Sequence, residues 1–412
     1  MPGPLHGYRI VDMTSMISGP LATMILGDQG ADVIKVENPD GGDHVRRGGN
    51  RHGGFAANFV NNNRNKRSIA IDLKQPRGVA ALLDVIRTAD VFIQNFRPGV
   101  IERMGLGEDV VRSVRADIVY VSIAGFGFEG PYAAKPVYDP LVQALSGLAT
   151  VQAGADDQRP RLVRTIVPDK VSALTVAQAV TAALLARARS GEGQHLRLAM
   201  LDAIVSFLWY SDMGSQTFVG NELPQPAAAS FIDLIYETAE GYISVAVMSD
   251  REWQGLTRAL ERPEWLDDPR FLTPALRDKN IDARLELIQS VLVERPASEW
   301  LARLEAEQVP CAPVLTRTEM LHHPQVEANA TVQIYDHPEA GPLRQARPAA
   351  QFSATPAAVR RGAPRLGQHT AEILAEAGIA VADIEDLSAA GVIRSDSDRG
   401  TVYLSPSSRA RG

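Results

Sequence analysis

Asp169 is the acidic residue whose place in the chain most strongly suggests chemistry. Residues 161–167 (RLVRTIV) are rich in β-branched side chains and predict a short extended segment, which Pro168 ends. Residues 170–189 carry small and apolar side chains at helical spacing. Asp169 is therefore expected at a helix N-terminus, either as an ordinary capping residue or as an ionised carboxylate aimed at a bound electrophile. This segment alone favours the capping role, although Ser172 does not complete a capping box.

The elements that must position Asp169 alternate between strand and helix patterns in the first half of the chain. The predicted strands lie at residues 8–14, 32–37, 68–73, 90–95 and 117–124. The predicted helices lie at residues 19–26, 79–88, 100–104 and 109–114. Near-continuous apolar strands in β–α–β units predict an α/β fold, with a Rossmann-like large domain whose parallel sheet is covered by helices on both faces.

Two features invite a nucleotide-binding interpretation. Residues 125–130 (GFGFEG) match G-x-G-x-x-G after a strand, but Pro131 and the residues after it do not begin the required helix, so a tight turn is the better explanation. A basic stretch interleaved with Gly and Asn contains Arg46, Arg47, Arg51, Arg64, Lys66 and Arg67. Such stretches are usually solvated loops, although some of these cations could bind phosphate groups.

The second half of the chain changes in character at residues 224–230 (PQPAAAS), which predict a linker. Beyond it, a short strand pattern and helical segments predict a smaller α+β domain. A Pro- and Ala-rich stretch at 338–364 predicts a long return to the large domain. The predicted divisions are a large domain at 1–223, a small domain at 224–328, a return linker with closing helices at 329–393, and a flexible tail at 394–412.

Composition narrows the class of protein. The net charge of −7 over 412 residues gives no support to nucleic-acid binding, and no apolar run approaches the roughly 20 residues that span a bilayer. Cys311 is the only cysteine, which excludes an internal disulfide and suits the cytosol. The eight histidines show no metal-ligand spacing. We therefore expect a cytoplasmic enzyme with no metal, no membrane association and no nucleic-acid partner.

A series of motifs in fixed order carries a family resemblance. They are PLHGYRIVDMTSMISGPLATMILGDQGADVIKVENPDGGD, NRNKRSIAIDLKQPRG, IQNFRPGVIERMGLG, AGFGFEGPYAAKPVYDPLVQALSGL, the Asp169 segment and GEGQHLRLAMLDA. Their order resembles the class III CoA-transferase family, which includes formyl-CoA and carnitine CoA-transferases and the related α-methylacyl-CoA racemases. The resemblance runs from residue 4 to about 203 and resumes weakly at 240–255, 309–314 and 367–374. It implies that Asp169 is the nucleophile, that acyl-CoA and a carboxylic acid are the substrates, and that no cofactor is permanently bound.

The resemblance also implies a CoA-binding role for residues near the strand ends. Met16 and Ile17 would line the pocket, Tyr138 would lie beside the nucleophile, and Met200 would line the acyl channel. The remaining positions, at the adenine, ribose and phosphates, are Asn38, Ile71, Asp72, Leu73, Lys74, Asn95, Phe96, Arg97, Arg103 and Lys135. Each has an ordinary alternative as a strand end or a solvated residue.

Several positions depart from the family's patterns. Asn38 stands where formyl-CoA transferases have a basic residue, and Ile17 stands where they have Gln. Residues 246–251 (AVMSDR) replace a glycine-rich loop in the small domain. The departures at Ile17 and at residues 246–251 put formyl-CoA and oxalate in doubt and favour a larger or more apolar acyl group. In the racemases a His–Asp pair precedes the active-site loop, whereas Tyr138-Asp139 stands here, and a phenol is a poor base at neutral pH.

Three functions therefore stay open at this stage. A CoA-transferase that works through anhydride and aspartyl-CoA thioester intermediates is favoured. An α-methylacyl-CoA racemase, or another acyl-CoA isomerase or lyase of the same fold, is the alternative. A nicotinamide-dependent oxidoreductase or a non-catalytic CoA-binding protein is the third. The family resemblance further implies a homodimer in which each chain passes through its partner like linked rings.

Overall fold

The structure of the protein is a computed structural model, which describes residues 2–154, 158–223, 234–395 and 405–406. The chain divides into two compact units. Unit 1 contains residues 1–148, 162–211 and 328–412, and unit 2 contains residues 149–161 and 212–327. The predicted linker at 224–230 and most of the predicted tail at 394–412 lie outside the described residues.

Unit 1 is built on a seven-stranded sheet. Its strands are β1 Arg9–Asp12, β2 Asp32–Glu37, β5 Lys66–Ile71, β6 Val91–Gln94, β7 Val119–Ala124, β8 His195–Ala199 and β14 Ile393–Arg394, and the short pair β3 Arg51–His52 and β4 Phe55–Ala56 lies outside this sheet. The strand order is β14-β5-β2-β1-β6-β7-β8, and every neighbouring pair is parallel except β14 with β5. The predicted α/β class with a large, mainly parallel sheet is confirmed.

Helices cover both faces of this sheet. The helices of unit 1 in this part of the chain are α1 Ser18–Asp28, α2 Ala57–Asn63, α3 Pro76–Arg87, α4 Val100–Arg103, α5 Glu108–Val114, α6 Asp139–Leu145, α8 Val167–Ser190 and α9 Met200–Trp209. Helix α7 Leu148–Val151 begins at the last residue of a unit 1 segment, and its other residues belong to unit 2. One face packs α3, α5 and two closing helices in a core around Phe92 and Tyr120. The other face packs α1 and α8 in a core around Ile10 and Val121. Strands buried on both faces explain their near-continuous apolar sequence.

The extended segment predicted at residues 161–167 is not a strand in the structure. Helix α8 begins at Val167, and Asp169 lies in its first turn with Ile166 at the cap position. A β-branched run forms a strand where it packs on neighbouring strands, whereas Leu162 is 46% exposed. Pro168 fits the first turn of a helix, where its missing N–H costs nothing. Asp169 is therefore not the capping residue.

The stretch predicted as a linker at 338–364 contains a strand. Strands β12 Val332–His337 and β13 Gly341–Ala346 form an antiparallel hairpin in unit 1, and β12 also pairs with β15 Ser405–Pro406. Gly341 has φ 68, which allows the tight turn between β12 and β13. The closing helices follow as α16 Thr370–Glu376 and α17 Val381–Ala389.

Contrary to the expectation from the sequence, helix α8 is long and apolar enough to cross a bilayer by length and composition alone. One of its faces is buried in the core of unit 1, through side chains that include Val176, Val180 and Leu184. A core helix of this kind satisfies the same test as a membrane span.

Unit 2 has a three-stranded antiparallel sheet of order β11-β10-β9. Its strands are β9 Ile235–Glu237, β10 Tyr242–Val245 and β11 Cys311–Pro313. Its helices are α10 Asp250–Ala259, α11 Pro274–Lys279, α12 Ile281–Leu292, α13 Ala297–Ala306, α14 Arg317–Met320 and α15 Pro324–Ala328. Trp253, Trp265 and Trp300 lie in one buried core, and the Trp300 indole N–H donates to the Leu292 carbonyl at 2.8 Å.

A buried ionic network lies beneath the turn between β1 and α1. The Lys66 ammonium is 3.0 Å from the Asp12 carboxylate, and the Lys35 ammonium is 2.9 Å from the Asp43 carboxylate. Both lysine side chains are fully buried. Lys35 also donates to the Thr14 carbonyl at 2.9 Å, and Lys66 donates to the Pro20 carbonyl at 2.9 Å. The network therefore ties the turn to the first three strands of the sheet.

We predict that Asp12→Asn lowers the free energy of unfolding of unit 1 by about 3–5 kcal/mol, because it leaves the Lys66 ammonium buried without its partner. Urea denaturation at neutral pH measures the loss. The matched control is Asp386→Asn, which breaks an ion pair with Arg77 in which both side chains are at least half exposed. That change should cost about 1 kcal/mol or less. Equal losses in the two variants would contradict the role of the network.

Candidate active site

The sheet of unit 1 reverses its direction of growth between β1 and β6. The chain adds β2 and β5 on one side of β1, and it then adds β6, β7 and β8 on the other side. Ligands of open parallel sheets bind at such a switch point, beyond the carboxyl ends of the strands. The turns after β1 and β6 meet there. The Asn95 amide accepts from the Ser15 backbone N–H and donates to the Ser15 carbonyl, both at 2.9 Å.

Asp169 faces this switch point from the first turn of α8. The hydroxyl and the backbone N–H of Ser18, the first residue of α1, face this carboxylate and lower its pKa as hydrogen-bond donors. The N-termini of two helices therefore meet at one carboxylate, and both carry partial positive charge. This arrangement favours the ionised form of Asp169 and fixes the direction of its oxygen atoms.

Asp139 opposes that effect from the start of α6. Its carboxylate is buried, and one oxygen accepts from the Asp169 backbone N–H at 3.2 Å. The other oxygen accepts from the Gln143 amide at 2.6 Å. Burial and the nearby negative charge of Asp139 raise the pKa of Asp169 to about 6, despite the two hydrogen bonds from Ser18. At neutral pH Asp169 is thus ionised but more basic than an exposed aspartate.

The turn that presents Ser18 has an unusual backbone. Met16 has φ 70, a left-handed conformation that residues other than Gly rarely adopt. Its backbone N–H donates to the buried Asp43 carboxylate at 3.2 Å. Gly19 follows closely, and a Cβ there would lie 2.3 Å from the Thr14 Cβ. The ionic network beneath the turn therefore determines where Ser18 meets Asp169.

Most of the predicted site residues follow strands at the carboxyl edge of the sheet. Met16 and Ile17 follow β1, Asn38 follows β2, and Met200 follows β8. Ile71 ends β5 and is only 1% exposed. The others at this edge are Asp72, Leu73 and Lys74 after β5, and Asn95, Phe96 and Arg97 after β6.

Three further predicted residues lie outside the strand ends. Tyr138 is 68% exposed and caps α6 next to Asp139. Arg103 ends α4, and the Lys135 ammonium lies 3.3 Å from the centroid of the Tyr132 ring. Among the described residues, no hydrogen bond or ion pair joins Arg103 or Lys135 to the Asp169 site.

Lys74, Arg97 and Arg103 are exposed cations without an acidic partner in the part of the chain that the structure describes. Within residues 2–154, 158–223 and 234–395, no carboxylate oxygen lies within 4.0 Å of the charged nitrogen atoms of Lys74, Arg97 or Arg103. By contrast, most of the basic stretch singled out in the sequence is used inside the fold. Four of its cations form ion pairs, namely Arg46 with Glu37, Arg64 with Asp28, Lys66 with Asp12, and Arg67 with Asp32, Glu372 and Glu376. These four are poor candidates for binding phosphates.

The sequence did not predict that Ser18 and Asp139 lie beside Asp169. Both carry a local signal, because Ser18 directly precedes Gly19-Pro20 at a predicted helix start and Asp139 precedes Pro140 in the same manner. That signal identifies helix starts but not which helices converge. The convergence on Asp169 depends on the packing of α1, α6 and α8.

The fold and this site define an α/β enzyme class that presents an aspartate at the switch point of a parallel sheet. The model of CoA-transferase family III matches residues 5–370, and the chain belongs to that family. It is 32% identical to human succinyl-CoA:glutarate CoA-transferase, over 90% of this chain and 86% of that protein. It is 32% identical to formyl-CoA:oxalate CoA-transferase of Streptomyces coelicolor, over 94% of this chain and 99% of that protein. A CaiB/BaiF family protein from Brucella suis has a similar structure, with a TM-score of 0.81 and 29% identity over 92% of this chain and 100% of that one.

We predict that Asp139→Asn moves the acid limb of the pH–rate profile to lower pH. A nucleophilic Asp169 must be ionised, so kcat should fall as the pH drops below about 6. Removing the neighbouring negative charge lowers the pKa of Asp169, while its burial is retained. Steady-state rates across the pH range measure the midpoint, with the exposed Asp386→Asn as control. An unchanged midpoint in Asp139→Asn would show that Asp139 does not control the ionisation of the Asp169 carboxylate.

Proposed function

We propose that this protein transfers CoA from an acyl-CoA thioester to a free carboxylic acid, with Asp169 as the nucleophile. The observation that supports this most strongly is the environment of the Asp169 carboxylate. It is partly buried, it faces the donors of Ser18, and its pKa is raised to about 6. A structural capping aspartate needs none of these features, and Asp169 does not occupy the cap position. The family membership of the chain supports the same chemistry.

The exchange proceeds in two symmetric halves. An Asp169 oxygen attacks the thioester carbonyl carbon, and the C–S bond breaks. The products of this step are an aspartyl–acyl anhydride and free CoA thiolate. The thiolate then attacks the aspartyl carbonyl, which releases the donor carboxylate and leaves an aspartyl-CoA thioester. The acceptor carboxylate attacks that thioester to form a second anhydride, and the thiolate takes the acceptor acyl group. Asp169 is regenerated, and no net proton is consumed.

Ser18 and the two helix N-termini support these steps electrostatically. Ser18 orients the carboxylate for attack, and the helix N-termini stabilise negative charge that develops on the carbonyl oxygen. Water must be kept away from the anhydride and the thioester, which the partial burial of Asp169 assists.

The carboxyl edge of the sheet is the proposed CoA site. Lys74, Arg97 and Arg103 supply cations for the phosphates, because they are exposed and have no carboxylate partner among the described residues. Asn95 and Phe96 hold the neighbouring turn. Tyr138 and Met200 flank the acyl end, and Asn38 offers an uncharged contact on the other side of β1.

Dicarboxylic acids are the proposed acid substrates. The relatives include enzymes named for succinyl-CoA with glutarate and with D-citramalate. Tyr138 in place of a histidine base argues against racemisation, and deuterium wash-in at Cα without an acceptor acid tests that alternative. A panel of carboxylic acids with succinyl-CoA, followed by mass spectrometry of the CoA products, identifies the acceptor.

We further propose a cytoplasmic homodimer in which the two chains are linked as rings. The chain leaves unit 1 at residue 212 and returns at residue 328, which a threaded topology requires. Unit 1 also exposes apolar side chains on neighbouring helices, including Leu141, Leu145, Leu174 and Trp209. An exposed apolar face of this kind marks an interaction surface, and a second copy of the chain would cover it.

We predict that Asp169→Ala abolishes transfer, with a loss of at least about 1,000-fold, and leaves CoA binding within a few-fold of the wild type. Isothermal titration with CoA checks the binding. Hydroxylamine added with donor acyl-CoA should trap a mass shift on the Asp169 peptide of the wild-type protein. Turnover near the wild-type rate in the variant would refute the nucleophile.

We predict that Arg97→Ala and Arg103→Ala weaken binding of CoA about tenfold but leave binding of a pantetheine thioester nearly unchanged. The reason is that only the nucleotide end of CoA carries the phosphates. Equilibrium binding of both ligands provides the comparison, with Arg77→Ala as an exposed control. Equal losses for the two ligands would place these arginines away from the phosphates.

For the dimer, we predict that two differently tagged preparations do not exchange subunits under native conditions, even at nanomolar concentration. Linked rings separate only when a chain unfolds, whereas an ordinary dimer dissociates by mass action. Native mass spectrometry after mixing measures exchange, and a denaturation–refolding cycle is the positive control. Rapid formation of mixed dimers without denaturant would exclude the threaded topology.

A further inference from the structure

A continuous line of side-chain hydrogen bonds crosses three strands of unit 1, away from Asp169. The Phe96 backbone N–H donates to the Gln94 amide oxygen at 2.7 Å, and the Gln94 amide nitrogen donates to the Ser122 hydroxyl at 2.9 Å. The Ser122 hydroxyl is 2.9 Å from His195 Nε2, and His195 Nδ1 is 2.5 Å from the Glu108 carboxylate. We call these four side chains, Glu108, His195, Ser122 and Gln94, the relay.

The backbone determines the direction of every bond in the relay. Because the Phe96 N–H can only donate, the Gln94 oxygen faces it and the Gln94 –NH₂ faces Ser122. The hydrogen of the Ser122 hydroxyl is then directed at His195 Nε2, which must be unprotonated to accept it. His195 consequently carries its hydrogen on Nδ1 and donates it to Glu108.

Ser122, His195 and Glu108 are hydrogen-bonded in the same order as the serine, histidine and acidic residue of a catalytic triad. Ser122 does not fit the role of nucleophile, because it is 4% exposed and its oxygen already accepts from Gln94. It lies in the middle of β7, in register with Gln94 on β6 and with Arg197 on β8. These residues therefore position other groups and do not contact substrate.

The relay ends at the turn formed by residues 95–97. Asn95 of that turn is joined to Ser15 by two hydrogen bonds of 2.9 Å. Ser15 belongs to the same turn as Ser18, which holds Asp169. The relay thus holds the 95–97 turn directly, and through Asn95 it also holds the turn after β1.

Protonation of His195 changes this arrangement. A protonated ring donates from both nitrogen atoms, so the Ser122 oxygen would accept from both His195 and Gln94, and the Ser122 hydrogen would lose its acceptor within the relay. Reversal of the Gln94 amide would relieve Ser122 but would turn an –NH₂ group against the Phe96 N–H. Either outcome weakens the support of the 95–97 turn.

The groups that face His195 favour its neutral form. Burial lowers the pKa of His195, the Glu108 carboxylate raises it, and Arg197 and Arg112 lower it. The Tyr120 ring packs edge-on against the imidazole, with ring centroids 4.9 Å apart. The outcome is a pKa below the ordinary histidine value, so the relay is intact at neutral pH and fails in acid.

We propose that neutral His195 is a positioning residue that holds the 95–97 turn in the conformation that binds the nucleotide end of CoA. This inference rests on the proposed function, because that function assigns the turn to the CoA site. The occupant is a phosphate-bearing thioester or free CoA. Protonation of His195 lowers the affinity of the protein for CoA without changing the position of the reacting atoms.

The test measures CoA binding in the Asp169→Ala background, where ionisation of Asp169 cannot contribute. Dissociation constants of CoA are compared at about pH 7.5 and about pH 5, the range in which histidine titrates. The parent should bind about three- to tenfold more weakly at the lower pH, the effect of about one hydrogen bond, beyond any change from protonation of CoA itself. His195→Gln retains an acceptor for Ser122 but does not titrate, so it should bind like the parent at the higher pH and lose this extra dependence.

Two further variants complete the design. Ser122→Ala should bind CoA weakly at both pH values and, with Asp169 restored, should raise KM for acyl-CoA while kcat is nearly unchanged. His322→Gln, an exposed histidine outside unit 1, should keep the full pH dependence. The same pH dependence in His195→Gln as in the parent overturns the relay, as does normal affinity in Ser122→Ala. Failure of the parent to bind CoA at any pH rejects the proposed function, and the relay's role with it.

Discussion

The buried pairing of Lys35 and Lys66 with Asp43 and Asp12 is the interaction on which the site depends. Removing such ions from water costs several kcal/mol each, and only close pairing with additional hydrogen bonds offsets that cost. Here the additional bonds go to the backbone of the turn after β1, at the Thr14 carbonyl and the Met16 N–H, and to the first turn of α1, at the Pro20 carbonyl. The left-handed backbone of Met16 persists because these bonds over-determine it. The position of Ser18, and through it the direction of the Asp169 carboxylate, follows from that turn.

At Asp169, two opposing influences act on one carboxylate. Burial and Asp139 disfavour its charge, whereas Ser18 and the N-termini of α1 and α8 favour it. A nucleophilic carboxylate needs both influences, because it must be ionised at neutral pH and yet must not be so stabilised that it is unreactive. A pKa near 6 meets both conditions. Asp139 is held beside Asp169 by accepting a hydrogen bond from the Asp169 backbone N–H.

The sequence predicted the parts of this structure that depend on local pattern. The apolar runs gave the strands at 32–37 and 117–124 nearly to the residue, because strands buried on both faces must be apolar throughout. The position of Asp169 at a predicted helix start and the family resemblance indicate its chemistry. What local pattern could not supply was tertiary partnership. Lys66 and Arg67 appear solvated in a stretch rich in Asn and Arg, yet the fold buries both against acids more than thirty residues away. The prediction of an extended strand at 161–167 was wrong for the converse reason. Its β-branched residues favour a strand locally, but no neighbouring strand in the described part of the chain pairs with them.

The switch point joins two tasks that the proposed reaction must keep together. Between its two halves, the reaction requires that CoA stay bound while the donor acid leaves and the acceptor enters. Asn95 and Ser15 connect the turn assigned to the nucleotide end of CoA with the turn that contacts Asp169, the proposed nucleophile. Binding energy from the remote, unreactive end of CoA can therefore be used to hold the thiolate beside Asp169, which is how enzymes use distant contacts to accelerate a local step. A loose connection between these turns would let the thiolate diffuse away and expose the anhydride to water. The hydrogen bonds across the switch point are thus as much a requirement of the chemistry as the carboxylate itself.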